Sequence, residues 1–220
     1  MAEIIVNNCE NAWKKGIEFI MDKGDDHNSK TGNFKQILNF NLEITEPCDD
    51  ILFPYKRLKE SSKWMYPDIT ELKNVVLAKK NIPCYSFTYG RRLFRFQDCI
   101  NQINDYVIPL LMEKPDSENA VAVLWDPSVD SNLMKNPAPR LVMCFFKSIN
   151  GKLMVTSILR NNDMLMGWPA TLLQVSILQE YVAQKVEVLK GSLIFYSTMA
   201  YINKEHLEDL KYLTNLSYMG

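Results

Sequence analysis

Histidine is nearly absent from this 220-residue chain: only His27 and His206 occur. Cysteine is sparse as well. Cys9, Cys48, Cys84, Cys99 and Cys144 are scattered, odd in number, and never in a CxxC spacing. Tetrahedral zinc needs clustered nitrogen and sulfur ligands, so no metal site is expected, and no disulfide framework either. Reduced thiols in a cytoplasmic compartment are the expectation. An excess of one charge is also missing. With 25 basic and 26 acidic residues the net charge is −1, which offers neither nucleic acid nor a membrane surface any bulk attraction. No apolar run approaches the roughly 20 residues that cross a bilayer. Residues 1–8 lack the basic start and apolar core of a signal peptide. Repeats and low-complexity segments are absent. What remains is long enough for a substantial core, and one domain over residues 1–220 is expected.

The periodicities predict α+β organisation without a linker. Residues 10–23 place Trp13, Ile17, Ile20 and Met21 on one helical face before Gly24. Residues 25–32 read as a polar loop, and 34–44 as a strand in which Phe34, Gln36, Leu38, Phe40, Leu42 and Ile44 share a face. Helices are predicted over 56–66, 68–80 and 97–112, the last disturbed by Pro109. The runs 121–125, 141–146 and 153–159 read as strands, the latter two joined across Asn150-Gly151. Residues 171–188 are apolar on most faces and predict a central helix, followed by a strand over 193–198.

Between the 153–159 strand and that helix lies Arg160-Asn161-Asn162-Asp163-Met164-Leu165-Met166-Gly167-Trp168-Pro169-Ala170-Thr171. A strand-to-helix junction can direct N–H donors and polar side chains at an anion, and arginine's planar fork suits phosphate. The pattern R-x-x-D-x-x-x-G-x-P resembles the signature of the thymidylate synthase superfamily. Further pieces follow in that family's order: Tyr89-Gly90-Arg91-Arg92, Ile100-Asn101-Gln102-Ile103, Pro115-Asp116-Ser117, Trp125-Asp126, Gly151-Lys152-Leu153, and Thr198-Met199-Ala200-Tyr201-Ile202-Asn203. The resemblance implies a mixed twisted sheet flanked by helices and a homodimer formed through that sheet. It also implies a pyrimidine nucleotide ligand and a reduced folate such as methylene-tetrahydrofolate as one-carbon donor. Carried over residue by residue, it gives Arg160 to the nucleotide phosphate and Asp163 to the polar ring. Tyr89, Tyr201 and Asn203 fall beside base and sugar, and Glu60 is the candidate general acid.

The departures concern chemistry. The family's nucleophilic cysteine follows a proline, and after Pro139 this chain has Arg140. A guanidinium stays protonated and cannot attack a pyrimidine. Cys144 lies four residues further along an apolar strand, roughly 13 Å away at ~3.3 Å per residue, where a cysteine reads as a small core hydrophobe. The paired arginines after P-D-S are Glu118 and Asn119, the sugar histidine is Met199, and the base-reading asparagine is Thr171. Arg140, Arg160 and Lys30 remain as candidate partners for an anion. Bland roles stand beside each functional one: Arg160 as ion-pair partner of Asp163, Asp163 as a cap for the next helix, Arg140 as a surface residue. Two functions fit. One is a divergent one-carbon transferase acting on a pyrimidine nucleotide or related anionic metabolite by altered chemistry. The other is a catalytically inactive nucleotide-binding sensor or accessory subunit.

Overall fold

The computed structural model describes residues 2–29, 32–61, 63–78, 82, 86–131 and 138–214. The chain opens with strand β1 (Ala2–Val6), helix α1 (Cys9–Lys23), and strands β2 (Asp25–Ser29) and β3 (Gly32–Ile44). Short helices α2 (Phe53–Glu60), α3 (Ile69–Leu77) and α4 (Tyr89–Phe94) follow, then a π-helical turn (Ile103–Val107) running into α5 (Ile108–Glu113). Next come β4 (Val121–Val123), α6 (Pro127–Asp130), β5 (Leu141–Ile149), β6 (Lys152–Leu159) and β7 (Asn162–Asp163). The long α7 (Trp168–Lys185), β8 (Leu189–Asn203), a 3-10 turn (Lys204–His206) and α8 (Leu207–Thr214) complete it.

The strands form one mixed sheet in the order β1-β3-β8-β6-β5-β4, with β2 extending the β3 edge and β7 continuing the line of β6 beside β8. This is the α+β, twisted mixed sheet flanked by helices that the sequence led us to expect. Its inner face carries Phe40, Leu42, Ile44, Phe146, Val155, Leu159, Phe195 and Ile202, all buried. Helices α1 and α7 cover that face. α1 starts where sequence chemistry fixes it. Asn8 Oδ1 accepts from Asn11 N at 2.9 Å, and the Asp50 carboxylate accepts from Cys9 N and Glu10 N, both at 2.7 Å. Carboxylates at a helix start satisfy orphan amides and complement the dipole.

Several sequence expectations move. Within the segment read as a polar loop, Asp25–Ser29 is a strand that pairs antiparallel with β3. Strand pairing satisfies the backbone there irrespective of side-chain polarity. The alternation assigned to 34–44 holds for Phe40, Leu42 and Ile44, whereas Leu38 is 59% exposed beside Asn39, whose φ is 54°. The helix expected over 56–66 starts and ends earlier, at Phe53–Glu60, because Pro54 occupies its first turn. Residues 97–102 are a turn, not helix, and Pro109, which lacks an N–H, sits just after the π turn in which Val107 N reaches Gln102 O. The central helix begins at Trp168, and the last strand is far longer than 193–198. The helix expected over 68–80 ends earlier, at Leu77, with Ala78 already extended; Lys30, Cys84 and residues 79–80 lie outside the described residues.

Candidate functional site

Two buried side chains hold the strand-to-helix junction. Trp13 of α1 donates from Nε1 to Met164 O at 2.9 Å, and Tyr66 donates from its hydroxyl to Met166 O at 2.9 Å. Asp163 Oδ1 then accepts from Leu165 N (3.2 Å) and Met166 N (3.0 Å), closing the turn that launches α7. Asp163 thus shapes the entry to α7 without capping it: the N-cap position is Gly167, and no side chain bonds the first helical amides. Its second oxygen accepts no hydrogen bond among the described residues. Burial pushes its pKa up, opposed by the Met166 amide and by the charges of Arg140 and His206.

β7 pairs with β8 so that Asp163 lies beside Tyr201 in register. The Tyr201 ring meets Phe34 edge-on at 5.2 Å. Desolvation raises the Tyr201 pKa, Asp163 raises it further, and Arg140 and Arg160 work against both. Tyr89, the first residue of α4 behind its Thr88 cap, has its pKa raised by burial and eased by the Leu141 backbone and the same two arginines. Asp163, Tyr201 and Tyr89 thus all lie within the field of Arg140, and the two tyrosines within that of Arg160 as well.

A cleft of about 450 Å³ opens beside them. Tyr89, Arg140, Gly167, Thr171 and Gln174 line it, with Phe87 at its side. That volume lies within the usual range for small-molecule sites. Gly167 gives the Arg140 guanidinium room: a Cβ built there would stand 2.8 Å from Arg140 Nη1. Arg140 is exposed, and among the described residues neither it nor Arg160 forms an ion pair. Arg160 instead donates from Nε to Pro139 O and from Nη2 to Ala138 O, both at 3.0 Å. Its fork pins the segment that presents Arg140, so the ion pair with Asp163 does not form. Thr171 is buried, and its hydroxyl donates back to Gly167 O at 3.2 Å, one helical turn earlier.

Other candidates fall elsewhere. Glu60 is exposed at the end of α2 and does not line the cleft. Asn203 caps the following 3-10 turn, its Oδ1 accepting from Glu205 N at 3.2 Å and its amide donating to the Glu205 carboxylate. Cys144 is fully buried, 3.8 Å from Ser157 Oγ, and burial pushes its thiol up to about 12. Gln174 and Phe87 were missed in the sequence. Gln174 was legible, since it lies three residues after Thr171 and so on the same helix face. Phe87 was not, because only the packing of α4 against α3 brings it to the cleft. Among the described residues no cluster of three or more His, Cys, Asp or Glu could hold a metal. No helix among them is long and apolar enough to cross a membrane.

Comparison with known proteins identifies the family. The family described as "Thymidylate synthase" matches residues 79–217. A protein of Methanosarcina acetivorans named "Putative thymidylate synthase" is 30% identical over 200 residues, covering 90% of this chain and 88% of its own. One of the same name from Methanocaldococcus jannaschii is 32% identical over 195 residues, covering 81% and 84%. Another from Methanothermobacter marburgensis is 25% identical over 219 residues, covering 95% and 96%.

Proposed function

Because the chain belongs to the thymidylate synthase family, we propose that its cleft binds a pyrimidine nucleotide or a related anionic metabolite, and that any one-carbon transfer there bypasses a cysteine thiolate. The observation that carries this reading is Arg140 standing in the cleft, in the place after Pro139 where the resemblance puts the nucleophile. A fixed positive charge there attracts an anion and cannot add to the ring. Cys144 is no substitute, because a buried thiol with a raised pKa supplies almost no thiolate.

In this reading Arg140 holds the anionic group, Thr171 and Gln174 face the base, and Tyr89 and Tyr201 position base and sugar. Arg160 acts through the Ala138–Pro139 backbone it grips and is a positioning residue. The open oxygen of Asp163 fits a ring that offers N–H donors, which is the donor set of a reduced folate; such a cofactor would supply the one-carbon unit. Glu60 and Asn203 take no part. The protein works as a cytoplasmic homodimer of single-domain subunits, its thiols reduced. A second reading, a binding-only sensor or accessory subunit, is favoured by the structural use of Arg160 and of Asp163 Oδ1.

The test is a thermal-shift screen of nucleotides, nucleosides and folates, since selective binding to the native state raises the melting temperature by mass action. Deoxyuridylate or a close relative is expected to stabilise the protein. Arg140→Gln, which removes the guanidinium, is expected to weaken that ligand about tenfold or more, the scale of one charge-assisted hydrogen bond. Dihydrofolate formation from deoxyuridylate and methylene-tetrahydrofolate is expected to be absent. Robust turnover lost in Cys144→Ser would overturn the non-thiolate reading, while a new pyrimidine product without that dependence would select the transferase over the sensor.

A further inference from the structure

Next to the nucleotide cleft, and sharing Ser86 and Phe87 with it, lies a second cavity of about 270 Å³. Arg91, Arg92 and Arg95 line it, together with Gln97, Asp98 and Asp126. Its charges divide into two sets. Arg92 is locked at the base: Nη2 lies 2.8 Å from Asp130 Oδ1 and Nη1 3.6 Å from Asp126 Oδ2, with all three side chains nearly buried. Asp126 is further occupied by the Ser128 hydroxyl (2.6 Å), the Ser128 amide (3.0 Å) and the Gln97 amide (3.4 Å). This inner set is internally satisfied.

The outer set is different. Arg91 Nη2 contacts both oxygens of Asp98, at 2.7 and 2.9 Å, while Arg95 Nε donates to the Asp98 backbone carbonyl at 3.3 Å and lies 3.6 Å from the same carboxylate. Arg91 therefore grips the carboxylate, with the Arg95 guanidinium beside it as a second positive charge. All three side chains are substantially exposed, so the arrangement is worth little to the fold. The backbone nevertheless works to keep it. Gln97 and Asp98 are the central residues of a tight turn closed by Cys99 N to Phe96 O at 3.1 Å, and their φ values are 48° and 64°. Turns of that shape prefer Asn-Gly, and a glutamine there is strained. Backbone strain of this kind gathers where side chains serve a ligand.

We propose that this cavity is an anion subsite for a carboxylate-bearing small molecule, and that Asp98 occupies it in the free protein as an internal stand-in. The class follows from the occupant: a carboxylate already fits between Arg91 and Arg95, with Ser86 and Gln97 beside it. An entering carboxylate displaces Asp98 toward solvent, into which it already projects, and leaves the two guanidiniums to the ligand. Because Phe87 borders both cavities, a ligand held here reaches the mouth of the nucleotide cleft.

The experiment uses malonate as probe and inorganic phosphate as contrast, read by NMR of the arginine side-chain N–H groups in the full chain. Malonate is expected to shift Arg91 and Arg95 saturably and to bind Asp98→Asn about tenfold more tightly than the parent, the scale of removing one competing charge-assisted contact. Arg91→Gln/Arg95→Gln is expected to abolish the effect while its far-UV spectrum stays native. Absence of saturable shifts in Asp98→Asn, or malonate binding that survives the double substitution, would overturn the subsite. Phosphate binding more tightly than malonate would overturn the carboxylate assignment.

Discussion

Asp163 is the residue on which local structure and site chemistry meet. Its Oδ1 is consumed by the turn before α7, while its charge stands beside Tyr201 and within the field of Arg140. Burial is the largest influence on its pKa and raises it, so the folded state holds this proton when the unfolded chain has shed it. The native protein then binds more protons between the ordinary carboxylate pKa and the raised one, and stability falls as pH rises through that window. Above the folded pKa the penalty is constant. Asp163→Asn removes it while keeping an oxygen to accept the two amides. Relative to the parent, its melting temperature is expected to be higher at neutral pH, with the advantage disappearing below the ordinary carboxylate range. A difference that stays constant from acid to neutral pH would mean that Asp163 titrates without a burial penalty.

At the level of elements, the site depends on how closely α4 approaches the end of α3. Gly90 permits the approach: a Cβ there would lie 2.5 Å from Ala78 O and 2.7 Å from Ala78 N. Backbone atoms cannot swing aside as a side-chain tip can, so α4 must move, carrying Tyr89 with it. Gly90→Ala is expected to cost about 1–3 kcal/mol by overpacking and to weaken ligand binding as well. Gly151 provides the contrast. A Cβ there meets nothing within 4 Å, but its φ of 71° closes the β5–β6 hairpin together with Asn150 at 52°. Gly151→Ala should cost a similar ~1–2 kcal/mol, purely from the left-handed backbone, and leave ligand affinity unchanged. Denaturant midpoints and ligand titrations on the two variants separate these effects; equal affinities in both would remove α4 from the site.

For the whole molecule, the decisive feature is the sheet face opposite the one that α1 and α7 cover. The strand registers align Ile5, Glu43, Ile194, Thr156 and Phe145 across five strands on that side. Ile5 is 58% and Phe145 37% exposed, and Ile149 projects from the same face of β5. A row with apolar residues at both ends and at its centre, and Glu43 and Thr156 between them, is the surface on which two sheets would pair in a dimer. Phe145→Asp would place a charge inside that interface, where desolvation opposes it. Sedimentation at micromolar concentration is expected to give a dimer for the parent and a monomer for the variant. A parent that sediments as a monomer would refute the assembly without touching the fold.

Local regularities were legible because they depend on neighbours in the chain. The 3.6-residue spacing of Trp13, Ile17 and Ile20, the turn at Asn150-Gly151 and the apolar run of α7 each predict their element without reference to distant residues. The ordered motifs around Arg160 likewise identified the family, and Arg140 after Pro139 was the departure on which the proposed chemistry rests. What side chains do across the chain was not legible. Nothing local says that Arg160 spends its fork on the carbonyls of Ala138 and Pro139, or that Asn203 turns to Glu205 rather than to a ligand. Nor does a polar run such as Asp25–Ser29 declare itself a strand, because pairing with β3 satisfies its backbone whatever its side chains. The sequence by itself determined the family, the fold class and the elements with strong local periodicity, and it showed that arginine, not cysteine, follows Pro139. Only the tertiary structure decided which charges meet, since hydrogen bonds between residues far apart in the chain depend on packing that no local pattern encodes.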